Sequence, residues 1–448
     1  MTRLRLPLIV ASLVLLWGSL PRAERVGYPP EEFAARRQRL AKSLERGTLV
    51  LFGAPSEAPG LRFRQDNDFF YLTGSEALSA VLVMDAPSGQ AHVFMPKRST
   101  REVQYEGGNW LDEPDAARAH GVTSVQPLTA LQEFLARRRT FDSQTLWVRL
   151  SERDEVNLGR IDVAIQQARR LNHPFAQYPS EDALRVQALR QQFPYYDLKD
   201  VTPHIDRLRV IKTPREIDIL RSNGRISAEA IGRAMAISRP GRFEYELEAE
   251  ATHWLLTHGM QGVAYPAIVA SGPNGNQWHY GASERQTKAG DLVVMDFGGD
   301  LDHLTIDITR TWPVSGRFTD EQRSAYECVL EAQKAIIAAI RPGVTRATVR
   351  TLAEDIYRRR GFGPHTAYIG HYVGMSVHDV GDWSAPFEAG MVLAIEPIVD
   401  LPEKRLHVRI EDTVLVTATG AEVLTGAVPK EADDVLKLLR PSASSAGR

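Results

Sequence analysis

Residues 291–312 have the sequence DLVVMDFGGDLDHLTIDITRTW. Two runs of β-forming residues, 292–297 and 304–314, flank a polar turn with two glycines, a pattern that predicts a hairpin. Asp296 ends the first run, and Asp307 shares a face of the second run with two threonines. A buried carboxylate is costly unless it is paired or binds a metal. The two aspartates therefore favour a metal site, although an aspartate at a strand end is more often a turn or cap residue.

The same pattern recurs about 100 residues later in the chain. An Arg-Pro-Gly triplet ends a predicted helix at residues 239–241 and again at 341–343, an offset of 102. The polar residues that recur at offsets of 99, 100 and 104 are His279 with His378, Asp296 with Glu396, and Asp307 with Glu411. Four buried carboxylates at one centre cannot all stay ionised without cations between them. The repeat therefore predicts a metal centre on a pseudo-twofold axis.

The second half also has a histidine without a counterpart in the first half. His371 lies seven residues before His378, between Gly370 and Gly374, which would let the backbone come close to a site. One imidazole with four carboxylates suits Mn²⁺ best, with Zn²⁺, Co²⁺ or Fe²⁺ as alternatives. Four carboxylates also carry enough charge for two divalent ions, an arrangement typical of hydrolytic sites. We therefore expect a dinuclear centre.

With these motifs the chain resembles a known family. MDFGG…DITRTWPVSG, GHYVGMSVHD, IEP and RIED are similar to the metal-binding segments of the pita-bread metallopeptidases, which include methionine aminopeptidase, aminopeptidase P and prolidase. FRQDNDFFYLTG resembles part of the N-terminal domain of aminopeptidase P, so the resemblance covers nearly the whole chain. It implies an α/β (α+β) fold, with an aminopeptidase P-like α/β domain followed by a pita-bread domain that contains the pseudo-twofold repeat.

The resemblance also implies a role for each site residue. The implied metal ligands are Asp296 for one ion, His371 and Glu396 for the other, and Asp307 and Glu411 as bridges. His279 matches the family's histidine near the scissile bond, and His378 matches the one that hydrogen-bonds the substrate carbonyl. Arg409 shares a strand face with Glu411 and would orient a metal-binding carboxylate. Glu396 would also pass a proton to the leaving nitrogen.

Two positions depart from the family pattern. Relatives commonly have a histidine four residues before the metal-binding one, where this chain has Ala367. Either a local insertion lets His365 take that place, or the contact is missing. In addition, Glu396-Pro397 continues with residues 398–400, Ile-Val-Asp, where a glycine is common. We expect this loop to have a different shape and to alter substrate preference more than metal binding.

Composition and the N-terminus bear on location. The chain has 448 residues and a net charge of −2, which gives no electrostatic footprint for nucleic acid. A short basic start precedes an apolar run at residues 6–20, and Ala23 is a small residue that could precede a cleavage site. This is signal-peptide architecture, and the run is shorter than the roughly 20 residues that span a bilayer. We expect export to the periplasm or medium without a stable membrane span; an uncleaved anchor is the alternative.

The predicted domains are a signal peptide (1–23), an N-terminal domain (24–200), a catalytic domain (201–440) and a disordered tail (441–448). In the N-terminal domain the pattern predicts helices at 31–46, at 128–138 and from Arg153 onward, and strands at 48–52, 69–73, 80–84, 91–95 and 145–150. In the catalytic domain, capping boxes at Thr213 and Thr319 open two long helices.

The resulting hypothesis is an exported Xaa-Pro aminopeptidase, which removes the N-terminal residue from peptides with proline in second position. A prolidase acting on Xaa-Pro dipeptides is the nearest alternative, because the two share every metal ligand. A non-catalytic binding module on the same fold is less favoured, because such proteins typically lose ligands and this chain keeps them. Metal-free creatinase-type chemistry is disfavoured for the same reason. No nucleic-acid partner is expected, and a homo-oligomer is left open.

Overall fold

The computed structural model describes residues 27–55, 62–86, 88–138, 144–363 and 369–439. The predicted signal peptide and C-terminal tail lie outside these ranges. So do His365 and Ala367, the two positions of the histidine departure. All of these therefore stay predictions.

A mixed sheet forms the centre of the N-terminal domain. Its strands are β1 (Gly47–Phe52), β2 (Val81–Ala86), β3 (Ala91–Met95), β4 (Ser124–Pro127), β5 (Thr145–Val148) and β6 (Asp197–Asp200). They lie in the order β4-β3-β2-β1-β5-β6, with antiparallel pairing among β3, β2 and β1 and parallel pairing of the outer strands. Residues on both faces of the inner strands are buried, as expected for a sheet covered by helices.

Helices of the N-terminal domain pack around this sheet. They are α1 (Pro30–Ser43), α2 (Asn67–Thr73), α3 (Thr100–Glu106), α4 (Ala116–Ala119), α5 (Leu131–Arg138), α6 (Arg160–Leu171) and α7 (Glu181–Gln192), with 3₁₀ turns at Trp110–Asp112 and Leu128–Ala130. The helix predicted from Arg153 onward therefore begins only at Arg160.

The strand predicted at residues 69–73 was wrong, because this segment belongs to α2. Asp66 accepts a hydrogen bond from the Phe69 N–H as the N-cap, and Gly74 ends the helix in the left-handed region with φ of 70°. Every residue of α2 is buried. A short run that is buried on all sides has no periodicity to distinguish a helix from a strand.

The catalytic domain contains the predicted repeat of two helices followed by paired strands. The first half holds α8 (Thr202–Val210), α9 (Pro214–Ile237), α10 (Glu244–Thr257), β7 (Gly262–Val263), β8 (Ile268–Ser271), β9 (Leu292–Asp296), β10 (Gly299–Leu301), β11 (Leu304–Thr305) and β12 (Thr309–Pro313), with a 3₁₀ turn at Gly272–Asn276. The second half holds α11 (Asp320–Ala339), α12 (Arg346–Arg360), β13 (Val392–Ile395), β14 (Ile398–Leu401), β15 (Leu406–Arg409), β16 (Asp412–Val416), β17 (Ala421–Val423) and α13 (Ala432–Leu438), with a 3₁₀ turn at Pro402–Lys404.

Strand pairing repeats between the halves. β9 pairs antiparallel with β12, and β13 pairs antiparallel with β16. Helices α9 and α10 pack together, as do α11 and α12. Among the described residues, we find no helix whose length and apolar character would let it cross a membrane.

The hairpin predicted at residues 291–312 is present, and its turn lies at the C-terminal end of the polar segment predicted between the two runs. Within it, β10 and β11 form a smaller hairpin that turns at Asp302 and His303, whose φ angles are 49° and 64°. Gly298, predicted as part of the turn, instead marks a close backbone approach. A Cβ at this position would lie 1.7 Å from the Ile306 carbonyl oxygen.

Candidate metal centre

The predicted metal ligands come together where the two halves of the catalytic domain meet. Asp296 ends β9 and Glu396 follows β13, while Asp307 and Glu411 each lie just before the next strand of their half. His371 lies in the loop before β13. All of them are buried, with exposed fractions of 7% for Asp296, 5% for Asp307, 8% for His371, 6% for Glu396 and 1% for Glu411.

His371 contacts carboxylates from both halves. Its Nε2 lies 3.3 Å from Oδ2 of Asp307 and 3.3 Å from Oε1 of Glu396. Its Nδ1 lies 3.0 Å from the Tyr372 carbonyl oxygen, which can only accept, so Nδ1–H donates and Nε2 faces the cluster. Donor atoms of Asp307, His371 and Glu411 all lie within 4.8 Å of one another, a spacing that suits a shared cation.

Asp296 is held by a guanidinium and a phenol. Nη2 of Arg409 lies 2.8 Å from its Oδ2. The hydroxyl of Tyr265 lies 2.5 Å from Oδ1 of Asp296 and 2.5 Å from Oδ1 of Asp307, and its single hydrogen serves one of them at a time. Sequence reasoning anticipated that Arg409 would orient a carboxylate, but it missed Tyr265. Tyr265 lies in none of the motifs from which the site was predicted.

Only one of the two carboxylate oxygens of Glu411 has a hydrogen-bond partner among the described residues. The Thr309 hydroxyl donates to Oε2 at 2.7 Å, and the Glu411 N–H donates to the Thr309 carbonyl at 3.0 Å. Oε1 is buried and has no hydrogen-bond partner among the described residues. An unsatisfied buried carboxylate oxygen is costly. A cation at this position would supply the missing partner.

The carboxylates and the imidazole shift one another's pKa. Burial and the charge of Asp307 raise the pKa of Asp296 and of Glu411 well above the ordinary range. Burial would also raise the pKa of Asp307, but its contact with His371 outweighs this and lowers it. Burial would lower the pKa of His371, yet its contacts with Asp307 and Glu396 raise it well above 6.5. Without cations, Asp296, Glu411 and His371 therefore tend to hold protons. They must lose these protons to act as metal ligands.

These features fit divalent cations. The set is rich in carboxylate oxygens and includes one imidazole nitrogen already turned toward them, and no described residue serves as a hydrogen-bond partner for Glu411 Oε1. Such a set suits Mn²⁺ and, less well, Zn²⁺ or Co²⁺.

The two histidines assigned to the substrate lie outside the carboxylate cluster. The ring of His378 lies 4.3 Å from that of His371, centroid to centroid, and its Nδ1 lies 2.9 Å from Oδ2 of Asp162. Burial, together with the neighbouring His371, lowers the pKa of His378. His279 is exposed and follows Trp278, whose indole N–H donates to Asp400. Sequence reasoning did not foresee Asp162, because it comes from the other domain and has no motif.

Comparison with protein families gives two matches in the chain. Residues 218–418 match metallopeptidase family M24, and residues 33–147 match the aminopeptidase P N-terminal domain. The first match contains all five predicted ligands, and the second lies within the domain built around β1 to β6.

Individual relatives agree with the family matches. The chain is 32% identical to the Xaa-Pro aminopeptidase of Escherichia coli K12, over 91% of this chain and 97% of that protein. Its fold is similar to aminopeptidase P from E. coli with the inhibitor Pro-Leu, at 27% identity and a TM-score of 0.78, covering 92% of this chain and 98% of that one. A Xaa-Pro dipeptidase of Pyrococcus furiosus is 36% identical, but over only 54% of this chain and 70% of its own length.

Proposed function

Because the chain belongs to the aminopeptidase P group of metallopeptidase family M24 and is a metallo-aminopeptidase, we propose that it cleaves the bond before a proline in second position. The observation that supports this proposal is the meeting of five buried side chains, predicted as metal ligands, at the junction of the two halves. A proline nitrogen has no hydrogen, so most peptidases handle this bond poorly.

We further propose that the centre is dinuclear and holds Mn²⁺ in preference to Zn²⁺ or Co²⁺. The residues that would hold the ions are Asp296, Asp307, His371, Glu396 and Glu411. The number of carboxylates supports two ions, since their combined charge exceeds what the guanidinium of Arg409 offsets. When bound, such ions supply Lewis-acid polarisation of the scissile carbonyl and a water activated for attack.

The chain's own residues complete the site. Arg409 fixes one carboxylate oxygen of Asp296, and Thr309 fixes one of Glu411, so the ligands are held in place before any cation arrives. His378 would donate a hydrogen bond from Nε2 to the substrate carbonyl as negative charge builds on it, with both ring nitrogens then carrying hydrogens. Glu396 would carry a proton to the proline nitrogen as that bond breaks. His279 would lie beside the scissile bond.

An aminopeptidase is favoured over a dipeptidase by the extent of similarity. The match to the Xaa-Pro aminopeptidase runs through both domains, whereas the match to the Xaa-Pro dipeptidase covers about half of this chain. We also propose that the protein is exported, on the basis of the basic start and the apolar run at residues 6–20.

A peptide-length series with controlled metal content tests the proposal. Protein stripped with a chelator should be inactive, and Mn²⁺ should restore cleavage of an Xaa-Pro-Xaa tripeptide better than Co²⁺ or Zn²⁺. An Xaa-Ala-Xaa tripeptide is the control and should stay intact. Cleavage of an Xaa-Pro dipeptide without cleavage of the tripeptide would establish the dipeptidase instead. Failure to take up metal would refute the enzymatic proposal altogether.

A further inference from the structure

His378 is held from outside its own domain. Its Nδ1 lies 2.9 Å from Oδ2 of Asp162, which belongs to the first turn of α6 in the N-terminal domain. An ionised carboxylate can only accept, so the His378 Nδ1–H donates and Nε2 is the nitrogen left for another partner. The hydrogen bond made by one ring nitrogen decides the state and direction of the other. Asp162 is therefore placed to control the part of His378 that would meet the substrate.

The backbone of the N-terminal domain is fitted to the same loop. The Val377 N–H donates to the Val156 carbonyl at 2.8 Å. Gly159 packs so closely that a Cβ there would lie 2.4 Å from the His378 carbonyl oxygen. The Gly159 N–H also donates to Oδ2 of Asp162 at 3.2 Å, so one carboxylate oxygen serves both the helix start and the imidazole. These contacts fix the position of Asp162 relative to His378.

We propose that Asp162 is a positioning residue for His378, through which the N-terminal domain takes part in the hydrolytic site. The inference rests on the proposed function, in which His378 acts on the substrate carbonyl. The side chains of Asp162 and His378 are 37% and 36% exposed, so their contact contributes little to the free energy of unfolding. The contact is expected to orient the His378 ring. Mutation of Asp162 should therefore lower activity while leaving the free energy of unfolding nearly unchanged.

Asp162→Asn in the metal-loaded enzyme tests the contact. We expect kcat on an Xaa-Pro-Xaa peptide to fall roughly 10- to 100-fold, with KM, metal content and Tm nearly unchanged. Asp112→Asn is the matched control, because Asp112 occupies the same capping position beside Asn109 on the surface of the same domain. It should leave kcat unchanged. Asp162→Glu, which keeps the carboxylate, should recover part of the loss.

A double-mutant cycle shows whether Asp162 acts through His378. Once His378→Ala has removed the imidazole, Asp162→Asn should cause no further loss of kcat. An equal loss in both backgrounds would overturn the proposal, because Asp162 would then act on the helix or elsewhere.

A spectroscopic readout separates this inference from the proposed function. In zinc-loaded protein labelled with ¹⁵N-histidine, the ring signals that disappear in His378→Ala identify His378. In the wild type they should report a hydrogen on Nδ1, and Asp162→Asn should shift them, whether or not the protein cleaves Xaa-Pro peptides. Unshifted signals would refute the positioning role. If Asp162→Asn fails to fold, Asp162→Glu is measured in its place. It should keep the hydrogen on Nδ1 and shift the signals, and unshifted signals would refute the positioning role in the same way.

Discussion

Side chains of the candidate metal centre bind protons that must leave when a cation binds. The pKa values of Asp296 and Glu411 are raised by burial and by neighbouring carboxylates, and that of His371 is raised by its two carboxylate contacts. All three therefore bind protons in the metal-free protein at pH values where the isolated side chains would have released them. A cation needs these groups deprotonated, so its binding must release protons.

Metal affinity should therefore rise with pH. We expect the dissociation constant for Mn²⁺ to fall by up to about tenfold per pH unit for each proton displaced, over the pH range between the ordinary pKa values of these groups and their raised values. Calorimetric titrations in two buffers of different ionisation enthalpy measure the number of protons released. Glu411→Gln should reduce this number by about one. An affinity that is the same at both ends of this pH range would contradict the prediction.

At the scale of secondary-structure elements, a polar cluster ties the segment before His279 to the β14–β15 hairpin. Asp400 accepts hydrogen bonds from the side-chain amide of Asn276, from the indole of Trp278 at 3.3 Å and from Nδ1 of His407 at 2.9 Å. Asp400 and His407 are opposite each other in the β14–β15 register. Asp400, in the segment after Glu396-Pro397 that departs from the family pattern, thus anchors the residues before His279 to the β14–β15 hairpin.

Asp400→Ala should loosen this segment without emptying the metal centre. Backbone amides of residues 272–279 should exchange hydrogen faster, and kcat/KM should fall about tenfold because His279 loses its support. Metal content should stay at the wild-type level. Hydrogen exchange followed by mass spectrometry makes the measurement. Asp382→Ala is the control, since the Asp382 carboxylate accepts from the N–H and the hydroxyl of Ser384 in an exposed turn. Unchanged exchange in residues 272–279 would count against the anchor.

Local signals in the sequence predicted these elements correctly. Elements that are buried on all sides, or that depend on contacts with distant parts of the chain, were not predicted correctly. The capping boxes at Thr213 and Thr319 correctly marked the starts of α9 and α11, because a cap depends on residues three positions apart. The 100-residue repeat correctly matched β9 with β13. Strand β10 was missed inside the segment predicted as the turn, because it pairs with β7 in a second sheet, a contact that no local pattern encodes.

The candidate site divides in the same way. The four carboxylates of the repeat were predicted as ligands because duplication gives each of them a counterpart, at an offset of 100 or 104 residues. Asp162 reaches the site from the other domain, and Tyr265 reaches it from the loop between β7 and β8, which contributed no motif. Their side chains are the part of the site that sequence reasoning could not supply.

Over the whole molecule, buried ion pairs join the N-terminal domain to the loop that carries His378. Arg209, on α8, lies 2.7 Å from Asp68 and 2.6 Å from Asp154 of the N-terminal domain, and 2.6 Å from Asp379 of the catalytic domain. All of these side chains are at most 1% exposed. Because Asp379 follows His378 directly, the same pairs that join the domains also fix the loop beside the metal centre.

Arg209→Ala should therefore destabilise the protein strongly, because it leaves buried carboxylates without one of their partners. We expect the free energy of unfolding to fall by about 3–5 kcal/mol, measured by denaturant titration of the metal-loaded protein. Arg207→Ala on the same helix is the matched control. Arg207 pairs with Glu388 through side chains that are 58% and 45% exposed, and its loss should cost less than about 1 kcal/mol. Similar losses in the two variants would mean that the buried pairs do not hold the domains together.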